Sequence, residues 1–165
     1  MFRRVVLARG SVEPSGYGAN HEVVSELLDR AKVPGWTKAS VIEDPTGSRG
    51  HPKRVSQAAE ESQADLLHIS CQEDANLVPA KSKVPVVVSV HDLFDFRPRA
   101  IDAGDVPVPL GNRFPSSERS RHIASCKEGM ERADVLLCAS QMTLEDARGM
   151  FPKTQSVLVR DSVDD

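Results

Sequence analysis

No hydrophobic run in this chain approaches the roughly 20 residues needed to cross a bilayer. A secretory leader is not expected either. Met1-Phe2-Arg3-Arg4 leads straight into Val5-Val6-Leu7-Ala8, which is shorter than a signal h-region of about 7–15 residues and reads as a first β-strand. Basic blocks are missing. The formal net charge is −3, and a nucleic-acid surface is a positive patch, so no nucleic-acid partner is expected. There are only three cysteines, Cys71, Cys126 and Cys138, with no CxxC pair. They read as free thiols in a reducing cytoplasm, not as a disulfide frame. No His/Asp/Glu cluster has zinc spacing, so no metal is expected. GxSxG, P-loop and HExxH motifs are absent, which removes the hydrolase, NTPase and metalloprotease chemistries they carry.

What is present suits one globular domain of ordinary size. The chain has 165 residues, 39% apolar and 27% charged. Short apolar runs alternate with helix-like segments. Strands are expected at 5–8, 37–42, 65–70, 84–90, 134–139 and 155–159, the fourth being nearly all β-branched. Helices are expected at 19–31, after Pro52 at a helix N1 position, at 117–132, and after Ser140 as N-cap. Their inner faces are Val23, Val24, Leu27, Leu28 and Ala31; Val55, Ala58 and Ala59; Ile123, Cys126 and Met130; and Leu144, Ala147 and Phe151. This βαβαβ–βαβαβ pattern predicts an α/β, Rossmann-like three-layer domain on a mostly parallel sheet, covered on both faces, with right-handed crossovers. The stretch 91–116 shows no periodicity and holds Pro98, Pro107, Pro109 and Pro115. It reads as a long loop, either functional or simply inserted.

In such a sheet, ligands bind beyond the carboxyl ends of the strands. That rim would carry Arg9 to Gly18, then Glu43 and Asp44, then Ser70, Cys71, Gln72 and Glu73, then His91 and Asp92, then Ser140. Gly16-Tyr17-Gly18 lets a ligand approach the backbone at a helix N-terminus, which favours phosphate. It is a poor dinucleotide fingerprint, because His21 stands where the third glycine belongs and the glycines lie too far from the strand. His91, closing a buried strand and opening the long loop, either meets a ligand or bonds to local backbone. Arg97 and Arg99, with Arg113, could grip an anionic acceptor or stay solvated. Phe94, Phe96 and Tyr17 could stack on a sugar or an apolar acceptor, with one of the two phenylalanines anchoring the loop on the core.

Three segments, in order, carry a resemblance: 16–28, Gly-Tyr-Gly-Ala-Asn-His-Glu-Val-Val-Ser-Glu-Leu-Leu; 84–93, ending in His91-Asp92-Leu93; and 132–140, ending in Ser140. Together the chain resembles the N-terminal domain of family-4 retaining glycosyltransferases, one half of a GT-B architecture. The resemblance implies an acceptor-side domain spanning 1–165, with the donor-binding domain not matched by anything here. It implies a nucleotide-sugar donor, an acceptor, a second GT-B domain in cis or in trans, retention of configuration, and no metal or cofactor. It sets Gly16, Tyr17 and Gly18 near the donor phosphates and His91 beside the donor sugar. Asp92, Phe94, Arg97 and Arg99 would face the acceptor, and Gln72, Glu73 and Ser140 the cleft, with a plain helix cap as the other reading of Ser140. The chain alone should then show no transferase turnover. Peripheral membrane association stays open, although no strongly basic amphipathic helix argues for it. Two other readings remain: a non-catalytic sugar- or partner-binding module of the same fold, and a nucleotide- or NAD-binding Rossmann domain.

Overall fold

The computed structural model describes residues 3–10, 18–30, 33–43, 50–104 and 106–159. In chain order the elements are β1 (Arg3–Ala8), α1 (Gly18–Asp29), β2 (Trp36–Ile42), α2 (His51–Glu61), β3 (Leu66–Ile69), a 3-10 helix (Gln72–Leu77), β4 (Val86–Val90), β5 (Arg99–Ala103), β6 (Val106–Leu110), α3 (Ser117–Arg132), β7 (Val135–Cys138), α4 (Gln141–Met150) and β8 (Gln155–Leu158). Six strands form one sheet in the order β2-β1-β3-β4-β7-β8, and every pairing in it is parallel. This is the α/β Rossmann-like architecture that the alternating pattern predicts.

The direction of travel across the sheet reverses once. The chain steps from β1 outward to β2, then returns past β1 to β3 and continues the other way. Right-handed crossovers therefore put the first helix on one face and the later helices on the other. The core divides accordingly. Val6 and Ala8 join α2, α3 and α4 through Val55, Met130 and Leu144. Val5 and Leu7 meet Leu28 of α1 on the opposite side. Among the described helices α1 alone covers that second face, so Val87, Leu137 and Val157 are only half-buried there.

Most of the inner faces read from the sequence hold. Val55 and Ala59, Ile123, Cys126 and Met130, and Leu144, Ala147 and Phe151 are buried, while Ala58 is half-buried. On α1 the expectation is too broad. Only Leu28 is buried, whereas Val23 is 51% and Leu27 37% exposed; Ala31 lies outside the described residues. A lone helix on a sheet margin buries a narrower stripe than one flanked by neighbours.

Two aspartates start strands in the same way. The Asp65 carboxylate accepts the Arg4 N–H at 2.7 Å, and the Asp134 carboxylate accepts the Val86 N–H at 2.7 Å. Each satisfies a backbone donor near the start of the neighbouring strand.

The stretch 91–116 is not a structureless loop. It contains an antiparallel hairpin, β5 with β6, pairing Ile101 with Val108 and Ala103 with Val106. Prolines hid it, because proline removes a ladder donor. Pro107 and Pro109 fall on alternate positions, opposite Asp102 and Ala100. Their nitrogens thus point away from β5, where no N–H is needed. Gly111, at φ +75°, ends the ribbon.

Candidate functional site

At the carboxyl rim, the crevice between β1 and β3 is where the strand order reverses, the usual ligand position in such sheets. Here the 3-10 helix leans into it. Asp74 accepts a hydrogen bond from the Gly10 backbone, and burial raises its carboxyl pKa despite that bond. A side chain at Gly10 would meet the Asp74 carboxylate at 2.3 Å. Beside it, the Arg9 guanidinium pairs with Glu43 at 2.8 Å, while its Nε and Nη1 are buried without a hydrogen-bond partner among the described residues. His51 Nε2 donates to the Arg9 carbonyl at 2.8 Å, and His51 Nδ1 accepts from Arg54 at 3.3 Å. Gly16 and Tyr17 lie outside the described residues, and Gly18 opens α1.

One strand over, a cavity of about 370 Å³ opens between the ends of β3 and β4. Its walls are Gln72 and Glu73 of the 3-10 helix, Asp92, Phe94 and Asp95 after β4, Gly111 after β6, and Arg119 of α3. Three residues expected at the rim, Gln72, Glu73 and Asp92, therefore meet here, together with Phe94, which was expected to stack on an acceptor. Gln72 is only 3% exposed, and its Oε1 accepts the His91 N–H at 3.0 Å. The Asp92 carboxylate accepts the Phe94 N–H at 3.1 Å, turning the chain so that Phe94 faces the cavity. Phe96 is 5% exposed and anchors this segment in the core.

His91 stands beside the cavity. Its Nε2 lies 3.2 Å from the Ser70 carbonyl, to which it can donate. Its own carbonyl accepts from Thr143 Oγ1 at 3.1 Å. Ser140 caps α4 by accepting the Thr143 N–H at 3.1 Å, so it reaches the site only through Thr143 and the His91 backbone.

Arg97 and Arg99 are brought together on another carboxylate. Arg97 Nη1 donates to Asp146 Oδ1 at 3.0 Å, and Arg99 Nη1 donates to the same atom at 2.8 Å. Asp146 is 5% exposed. The pair ties the hairpin to α4, and the Arg99 guanidinium also lies 5.7 Å from the Phe94 ring centre.

Arg119 is the site residue that sequence reasoning misses. It forks onto Glu73, with Nη1–Oε2 at 2.5 Å and Nη2–Oε1 at 2.9 Å, and reaches Asp95 Oδ2 at 2.6 Å. Its signal was positional: α3 precedes a parallel strand, so its first turn must lie on the carboxyl rim. Below it, His122 Nε2 donates to the Glu73 carbonyl at 2.9 Å and lies 3.6 Å from the carboxylate. Burial pushes the Glu73 carboxyl up, but hydrogen bonds from His122 and Arg119 outweigh burial and hold it below its ordinary value. Contacts with the Cys126 sulfur and with Glu73 raise His122 to about 10. Burial lifts the Cys71 thiol to about 12 and Cys138 to about 11, so neither is a thiolate nucleophile at neutral pH.

A raised histidine stabilises the fold most below its unfolded pKa of about 6.5, and that contribution fades as pH climbs through its folded value. The stability gap between the wild type and His122→Gln is therefore expected to be widest near pH 6 and to close by about pH 10. Urea midpoints at three pH values measure it. A gap that stays constant would mean that His122 is not held charged.

No protein-family model and no curated protein matches the sequence. Solved structures do match the fold. A UGT transferase from Siraitia grosvenorii in complex with UDP aligns over 97% of this chain and 48% of its own, at 13% identity and a TM-score of 0.56. A UGT from Glycyrrhiza uralensis complexed with glycyrrhetinic acid 3-O-monoglucuronide aligns over 96% and 49%, at 10% identity and 0.53. The chain spans about half the length of these structures, and at such identities the likeness is one of fold: a glycosyltransferase-like α/β half.

Proposed function

We propose that this chain is the acceptor-side half of a retaining glycosyltransferase of the family-4 type. The acceptor sits in the cavity between β3 and β4, while a second GT-B-type half, in cis or in trans, brings the nucleotide-sugar. The observation that carries the reading is the cavity's make-up. Carboxylates, an amide and an aromatic ring converge at the carboxyl rim of a glycosyltransferase-like half, and sugars are held by such hydroxyl acceptors and ring faces. His91 would stand at the cavity's edge toward the donor sugar, with Gly16, Tyr17 and Gly18 toward the donor phosphates. Retention of configuration and the absence of a metal rest on the resemblance of the three sequence segments.

The test is to titrate the isotopically labelled chain with maltose and with NAD while following backbone amide signals. Shifts at Gln72, Asp92, Phe94 and Arg119 with maltose are expected. A response to NAD alone would replace this reading with the nucleotide-binding one. A partner-binding module has one observation in its favour: Ile101, Val106 and Val108 on the hairpin and Phe114 beyond it are exposed, Phe114 at 91%.

A further inference from the structure

The arginines of 97–113 suggested an anionic acceptor, but the charges at the cavity are arranged differently. Arg97 and Arg99 both point at Asp146, and neither lines the cavity. The walls themselves hold three carboxylates, Glu73, Asp92 and Asp95, against one guanidinium, Arg119. That guanidinium is already forked onto two of the three, so among the described residues no wall cation is left to meet an incoming anion. His122 is not a wall residue either and bonds to Glu73.

A separate observation marks the cavity as a binding site. Gln72 is 97% buried, being 3% exposed, and lines the cavity. The His91 N–H can only donate, so it fixes the amide with its oxygen toward His91. That leaves the Gln72 NH2 group with no hydrogen-bond partner among the described residues. The residue is held almost wholly inside the protein while its amide donors stay open to an acceptor atom from outside, water or ligand. A neutral hydroxyl serves, because it accepts from Gln72 and donates to a carboxylate at once.

Resting on the acceptor reading above, we propose that this cavity selects a polyhydroxylated acceptor carrying no negative charge, and discriminates against phosphate- or carboxylate-bearing sugars. A sugar hydroxyl takes the Gln72 amide, neighbouring hydroxyls donate to Asp92 and Glu73, and Phe94 covers one ring face. An ammonium group on the sugar is tolerated or favoured, and an anionic group is repelled.

The experiment uses the 165-residue chain at pH 7 and low ionic strength, with amide signals followed during titration. The probes are glucose, glucosamine, glucose 6-phosphate and glucuronate. Glucose and glucosamine are expected to bind at least about fivefold more tightly than the two anionic sugars, the effect of roughly one unit-charge contact in water. Added salt should narrow that ratio, as should Asp92→Asn, whose side-chain oxygen can still cap Phe94. Equal or tighter binding of the anionic sugars overturns the charge selection while leaving the acceptor reading standing. A silent cavity with all four sugars overturns both.

Discussion

Gly129→Ala is expected to lower stability by about 1–3 kcal/mol, the range for overpacking a well-filled core. The physical cause is a backbone-to-backbone approach. A Cβ at Gly129 of α3 would stand 1.7 Å from the Ala75 carbonyl oxygen and 2.5 Å from its carbon. No side-chain rotation relieves that contact, so the 3-10 helix 72–77 must move off α3. The movement reaches the cavity, because the same helix presents Gln72 and Glu73 to it. Cys126 and His122 of α3 also both bond to the Glu73 carbonyl, at 3.2 and 2.9 Å. Loss of sugar binding should therefore accompany loss of stability. Gly149 is the control. It lies in α4 with nothing within 4 Å of a built Cβ, so Gly149→Ala should raise stability by up to about 1 kcal/mol through helix propensity alone. Urea midpoints of the three proteins decide it, and equal midpoints for the wild type and Gly129→Ala would mean that the two helices are not locked at this point.

Arg119→Met should be nearly as costly, and its effect is electrostatic. Removing the guanidinium leaves Glu73 and Asp95 facing each other across the cavity without their shared partner. Breaking a fully buried pair costs about 3–5 kcal/mol. These groups are 30%, 31% and 34% exposed, so water screens part of the loss and about 1–3 kcal/mol is expected. A double-mutant cycle with Glu73→Gln separates the pair from its surroundings. Strict additivity of the two substitutions would show that the forked contact contributes nothing. The variant also makes the cavity more negative, so any remaining preference for uncharged over anionic sugars should widen.

Local chemistry made much of this molecule readable in advance. Six parallel strands and four helices appear within a residue or two of their expected positions, since β-branched runs and helical stripes depend on neighbours along the chain. Ser140 caps α4 as expected, because a cap is satisfied three residues away. The hairpin β5–β6 was hidden because its prolines matter only relative to a partner strand. The 3-10 helix was hidden because six residues carry too little periodicity to declare themselves.

The site was legible as a rim and not as an arrangement. Sequence order placed Gln72, Glu73, His91 and Asp92 at strand ends, and topology alone brings strand ends to one edge. It could not tell which arginine would face them. Arg97 and Arg99 meet Asp146 across 49 and 47 residues of chain, and Arg119 meets Glu73 across 46. Hydrophobic period and capping are written in short-range spacing, so the sequence by itself determined the elements and the fold class. Coulomb attraction and hydrogen bonding depend on distance in space, so only the tertiary structure decided which charges cancel, which stay at the cavity, and where the cavity opens.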